Sequence, residues 1–195
     1  TYFMSASADN SPTRVNNATY YAWGAQVETG IGATTYIPTT SATVTRNADA
    51  LLYPGSGNAT NATGTAYAEA TWISKNSVAS RILAYSGGAG ATPLLISTSQ
   101  AVQSADGTTF LTTAGSLNQF QTYKTAVTFG GVTRTLGRQG GTTLYDQAYD
   151  GDYTTGVTNI GIGSIGASNQ LGGCVRNVRL YSVKISNTAL DNMIA

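Results

Sequence analysis

Histidine is absent from the 195 residues. That absence removes the usual zinc ligand, the usual general base and any Ser-His-Asp triad together. Cysteine occurs once, at Cys174, which excludes an internal disulfide and a thiolate metal cluster. Its place at the start of a closing strand predicts a small, buried apolar thiol. Charge is scarce as well: 10% of residues are charged, against about 25% in ordinary globular proteins. The net charge is +1, and only Arg176 and Arg179 come close to a basic cluster. The chain therefore carries no electrostatic footprint for nucleic acid or an anionic membrane. No apolar run approaches the roughly 18 residues that span a bilayer, and no secretory signal is present.

What is present points to strands. Hydrophobic residues make up 41% of the chain, beside 23 glycines, 12 tyrosines and long stretches rich in Thr, Ser, Asn and Ala. Low charge without a hydrophobic deficit argues against disorder and for an all-β protein coated in hydroxyls and amides. Nine runs bounded by turn residues are expected strands: 67–73, 80–85, 93–98, 109–113, 121–129, 133–136, 142–145, 159–162 and 174–181. Many short strands at intervals near 8–12 residues read as a two-sheet sandwich. The one predicted helix runs from Asn187 to Ile194, with Ser186 as N-cap and Leu190, Met193 and Ile194 on its apolar side.

Residues 1–48 read differently from 49–195. Tyr2-Phe3-Met4 resembles a strand end and Asn10-Ser11-Pro12 a turn. From Tyr20 to Glu28 the pattern alternates, placing Tyr21, Trp23, Ala25 and Val27 on one face of an expected strand. Ile37 is held extended by Pro38. Two strands cannot bury such a face alone, so it is expected to pack on a segment outside this sequence, on the second domain or on copies of the chain, with Tyr21 and Trp23 as the candidate interface residues. The opening at Thr1, in what reads as mid-strand, predicts a processed or engineered fragment of a longer protein.

The densest polar and aromatic cluster is Asp146-Gln147-Ala148-Tyr149-Asp150-Gly151-Asp152-Tyr153. Carboxylates accept paired hydrogen bonds from sugar hydroxyls and tyrosine rings cover the apolar face of a sugar. Asp146, Tyr149, Asp150, Asp152 and Tyr153 are therefore the candidate glycan-binding residues, set against the plainer reading of an Asp-Gly turn. Asp150 and Asp152 also suit calcium, but that ion takes 6–8 oxygens and the loop supplies only a fragment of such a site. Glycoside hydrolysis needs two carboxylates at a set separation. Glu69 is the only glutamate of the sandwich and alternates away from Trp72, with no second acid placed beside it. Binding is thus expected ahead of catalysis. The glycine runs Gly87-Gly88-Ala89-Gly90 and Gly161-Ile162-Gly163-Ser164 lack the helix and lysine of a phosphate loop and read as turns.

Two segments carry a resemblance. Tyr21-Ala22-Trp23-Gly24-Ala25-Gln26-Val27-Glu28-Thr29-Gly30, with Ala33 to Thr39 and Val44 to Asp49 after it, resembles a passage that joins β-domains in bacteriophage tail and fibre proteins. The ending from Gly173 to Leu190 is similar to that of the concanavalin A-like (laminin G-like) jelly roll, a sandwich of two antiparallel sheets. It departs from that pattern at Arg176, where an acidic residue is frequent. Together the resemblances imply an upstream domain end with a hairpin or extended linker over 1–48 and a jelly-roll sandwich over 49–195. They imply a virion location, a receptor-binding role toward host cell-surface glycan and contacts with other virion proteins, while the unmatched aromatic face of Tyr21 and Trp23 predicts a homo-oligomer, with a trimer expected. A purely structural or decorating protein is the alternative. A polysaccharide depolymerase is the second, and it would lose sugar release on Glu69→Gln.

Overall fold

A computed structural model describes residues 21, 23–27, 35–45, 50–59, 62–73, 79–86, 92–106, 109–149, 153, 157–164 and 169–195. The chain divides into two compact units, Thr1–Val44 and Thr45–Ala195. The expected strand end at Tyr2-Phe3-Met4 and the turn at Asn10-Ser11-Pro12 lie outside the described residues.

The larger unit is an all-β sandwich of two antiparallel sheets closed by one helix. The first sheet contains β1 (Leu51–Pro54), β3 (Ser80–Ser86), β4 (Thr92–Ile96), β5 (Val102–Ala105), β6 (Phe110–Thr112) and β10 (Asn159–Ile162), in the order β1-β10-β3-β4-β5-β6. The second contains β2 (Thr63–Trp72), β7 (Thr122–Gly130), β8 (Thr133–Arg138), β9 (Leu144–Ala148) and β11 (Gly173–Tyr181), in the order β11-β2-β7-β8-β9. Each expected strand corresponds to an observed one, and α1 (Asn187–Ile194) has the expected bounds. Ser186 caps it, its Oγ accepting from the Ala189 N–H at 3.2 Å. Sequence reading missed β1 and β5.

Period-two alternation builds the core. On β2, Ala66, Ala68, Ala70 and Trp72 point between the sheets, and β7 answers with Val127 and Phe129. The opposite face of β2 and β7 carries Thr65, Tyr67, Glu69 and Thr71 against Thr128, Ala126, Lys124 and Thr122. Here α1 lays Leu190 and Ile194 over Tyr67 and Ala126. A Cβ on Gly137 of β8 would lie 2.6 Å from Ile194 Cδ1 and 2.9 Å from Leu190 Cδ2, so the small residue admits the helix. Thr65 and Thr128 join hydroxyls at 2.9 Å, and the Ile185 N–H donates to Thr128 Oγ1 at 3.0 Å, bringing the chain across the sheet before α1. The helix thus covers the β7–β8 part of this outer face, while the outer side chains of β11 stay exposed.

Two expectations need correction. Cys174 is exposed, because it pairs with Thr71 on the outer face while its neighbour Val175 turns toward the core. The alternating segment in the first unit is not a strand over residues 21 and 23–27. Gly24 sits at φ +71°, a left-handed conformation that breaks the extended path.

Candidate functional site

The expected glycan loop separates into different environments. Asp146, at φ 45° on β9, is exposed. Its N–H donates to Thr135 Oγ1 at 3.0 Å, its carboxylate accepts from Asn187 Nδ2 at 2.9 Å, and Lys184 Nζ lies 3.8 Å away. It fastens β9 to the start of α1. Tyr149 and Tyr153 are 4% and 1% exposed and belong to the core. Phe129 packs edge-on to Tyr153 with ring centroids 4.3 Å apart, and Tyr149 lies 5.2 Å from Tyr153. The interior covers both rings, so neither presents an open face to a sugar. Asp150 and Asp152 lie outside the described residues, as does any calcium ligation by them. Among the described residues no group of three or more His, Cys, Asp or Glu side chains could hold a metal.

In the first unit, Tyr21 and Trp23 are 94% and 87% exposed. Trp23 stands edge-on to Tyr36 at 6.1 Å, and Gln26 Oε1 accepts from the Ile37 N–H at 2.7 Å. These contacts hold the Trp-Gly-Ala-Gln and Tyr-Ile-Pro segments together and leave the two aromatic side chains open.

A cluster that sequence reading did not assemble lies on the outer face of β2 and β11. Register pairs Glu69 with Arg176 and Tyr67 with Arg179. Both arginines point outward although they are three residues apart, which alternation alone forbids. A bulge at Asn177, φ 50°, supplies the extra residue. Glu69 receives three donors: Arg176 Nε at 2.7 Å, Asn177 Nδ2 at 2.8 Å and Tyr67 Oη at 3.0 Å. The Arg179 guanidinium lies 5.6 Å from the centre of the Tyr67 ring. One guanidinium therefore bonds the carboxylate and the second stands over the ring of its tyrosine donor. The Glu69 side chain is 12% exposed and that of Arg176 is 66% exposed, so the acid is an anchor beneath an open cation.

The electrostatics agree with that division. The Asn177 amide, then Arg176 and Tyr67, hold the Glu69 carboxyl down from the ordinary 4.5 to about 2. Burial, followed by the bond to Glu69, pushes the Tyr67 phenol up to about 12. Glu69 stays ionised at neutral pH and holds three donors, which suits positioning rather than proton donation. A depressed carboxyl contributes stability that is present above its unfolded pKa and is lost as pH falls through the folded one. Stability is accordingly expected to decline between pH 4.5 and about 2, and Glu69→Gln to flatten that limb. Urea midpoints measured across the acid range check this; an unchanged slope in the variant counts against the network.

No protein-family model matches the chain. No curated protein matches it either. Solved structures do. The CBM40 carbohydrate-binding module of the Ruminococcus gnavus IT-sialidase, bound to α2,3-sialyllactose, superposes with a TM-score of 0.58 at 16% identity, covering 69% of this chain and 83% of that one. Domain 4 of AbnA, an extracellular GH43 arabinanase from Geobacillus stearothermophilus in complex with arabinotriose, gives 0.55 at 8% identity over 70% and 68%. Trypanosoma rangeli sialidase in complex with sialic acid gives 0.53 at 17% identity over 68% of this chain and 22% of that one. At these identities the likeness is one of fold: a two-sheet jelly roll shared with carbohydrate-binding modules.

Proposed function

We propose that the chain is a non-catalytic glycan-binding module whose β2–β11 outer face receives a carboxylated sugar of a host cell surface. The observation that carries this reading is Arg176. Its Nε is spent on Glu69, while its terminal nitrogens have no partner among the described residues and the side chain stands in solvent. A guanidinium fixed at one edge and free at the other matches a carboxylate with little ordering cost. Asn177 gives its amide N–H to Glu69, which leaves Oδ1 to accept from a sugar hydroxyl. Support from outside the site comes from the solved modules, which hold sialyllactose and arabinotriose on a similar sandwich.

The setting we propose is a bacteriophage tail fibre or spike, supported by the resemblance of residues 21–49 to the passage joining domains in such proteins. Copies would associate through the open Tyr21 and Trp23 side chains, as a trimer. Display of several weak sites in one particle raises avidity by about 10²–10⁴. The test is a glycan array probed with labelled protein beside an Arg176→Ala/Arg179→Ala variant, with and without calcium. Carboxylated glycans are expected to be selected, with binding falling at least about tenfold in the variant and on raising salt. Selection of neutral glycans alone would remove the acidic-sugar reading. No binding by folded protein would leave the structural role. A monomeric mass in solution would exclude the trimer.

A further inference from the structure

A cleft lies between the β6–β7 connection (113–121) and the β8–β9 turn (139–143). It has a volume of about 550 Å³, within the roughly 300–1,000 Å³ of small-molecule sites. Its walls are hydroxyls and amides: Ser116, Asn118, Gln121, Tyr123 and Gln139, with Arg138. The Tyr123 hydroxyl accepts from the Asn118 N–H at 2.9 Å and donates to Gln121 Oε1 at 3.0 Å, so the polar rim is fixed to a core ring.

Arg138 gives the cleft its sign. Its guanidinium lies 5.7 Å from the centre of the Tyr123 ring and is 5% exposed as a residue. Nη1 donates to the Gln139 carbonyl at 3.1 Å and Nη2 to the Ala114 carbonyl at 2.8 Å, while the buried Nε has no partner among the described residues. Arg134, Arg176 and Lys184 each have a carboxylate, Asp106, Glu69 and Asp146 respectively. Arg138 has none among the described residues, and no carboxylate lines the cleft. The backbone is shaped around this cation. A Cβ on Gly141 would come within 2.7 Å of Arg138 Nε, and one on Gly115, at φ +80°, within 2.7 Å of Nη2.

We propose that this cleft is a second carbohydrate site, for a hydroxyl-rich sugar bearing one negative charge. The amides and hydroxyls exchange hydrogen bonds with ring hydroxyls, and the uncompensated cation in the wall favours a carboxylate over a neutral substituent. The proposal rests on the general reading of the chain as a glycan binder but not on the β2–β11 face.

The test is a ¹⁵N NMR titration of the whole chain with D-glucuronate, using D-glucose as the uncharged match. Side-chain amides of Asn118, Gln121 and Gln139 report the cleft, and that of Asn177 reports the outer face. Saturable shifts at the cleft amides are expected with glucuronate, at a Kd at least about tenfold below that for glucose. A Gln121→Ala/Gln139→Ala variant, its fold checked by the unchanged remaining spectrum, is expected to lose tight binding at Asn118 and keep the Asn177 response. Shifts confined to Asn177 overturn the cleft and spare the outer face. Shifts confined to the cleft do the reverse. Silence at both overturns both, and equal response to glucose overturns the charge preference.

Discussion

Tyr153→Ala is expected to destabilise the sandwich by about 3–5 kcal/mol, the range for deleting a large buried ring, and to do so without altering the affinity of the molecules that stay folded. Tyr153 is 1% exposed, packs on Phe129 and Tyr149, and meets Tyr85 edge-on at 6.1 Å. Its hydroxyl shares a hydrogen bond of 2.7 Å with Ser104 Oγ. Burial pushes the phenol up to about 12, so the ring is neutral throughout the working range. Tyr153→Phe keeps the ring and loses only the hydroxyl contact, an effect of about 1 kcal/mol. Denaturant midpoints of the two variants separate the packing contribution from the polar one. Glycan affinity measured below the midpoint separates both from binding. If Tyr153→Ala keeps its midpoint and loses the glycan, the ring is a ligand platform and its burial is no guide to its role.

That contrast shows where sequence reading stops. A run of Asp, Gly and Tyr has the composition of a solvated binding loop, and nothing local reveals that two of its rings turn inward. Their partners, Tyr85, Ser104 and Phe129, come from three strands spread over the chain. The helix is the opposite case. Ser186 at the cap and Leu190 and Ile194 one turn apart are local signals, and the observed bounds follow them. β1 escaped notice because all four residues are exposed on an edge and show no alternation, and β5 because Val-Gln-Ser-Ala is short and half polar. The polar cluster was half legible. Alternation put Glu69 opposite Trp72, and Arg176 and Arg179 stood out in a chain with little charge. Joining them needs the pairing of β2 with β11, across 107 residues, and a bulge at Asn177 that alternation hides.

The second large effect is expected at the buried ion pair of Arg134 and Asp106. Both side chains are fully buried, 3.2 Å apart. Arg134 Nη2 also donates to Thr109 Oγ1 at 2.6 Å, and Asp106 accepts from the Thr109 N–H at 2.7 Å, so one pair ties β8 to the turn after β5. Asp106→Ala leaves a buried cation alone and is expected to cost about 3–5 kcal/mol. Asp106→Asn removes the same charge but can still accept from the Thr109 N–H, and should cost about 1–2 kcal/mol less. The pair is also imperfectly satisfied, because Arg134 Nε and Nη1 make no hydrogen bond of ordinary geometry among the described residues. Two buried ions with unused donors recover little of their desolvation cost, and apolar replacements of similar volume often match or exceed them. Arg134→Met in the Asp106→Asn background is therefore expected to regain most of the loss, although Arg134→Met alone strands the carboxylate and costs as much as Asp106→Ala. The double-mutant cycle, read from urea midpoints, decides the matter. Strong coupling with recovery in the double variant means the pair specifies how the turn docks rather than how stable the sandwich is. Additive losses mean that each side chain is held by its own contacts and the charges are incidental.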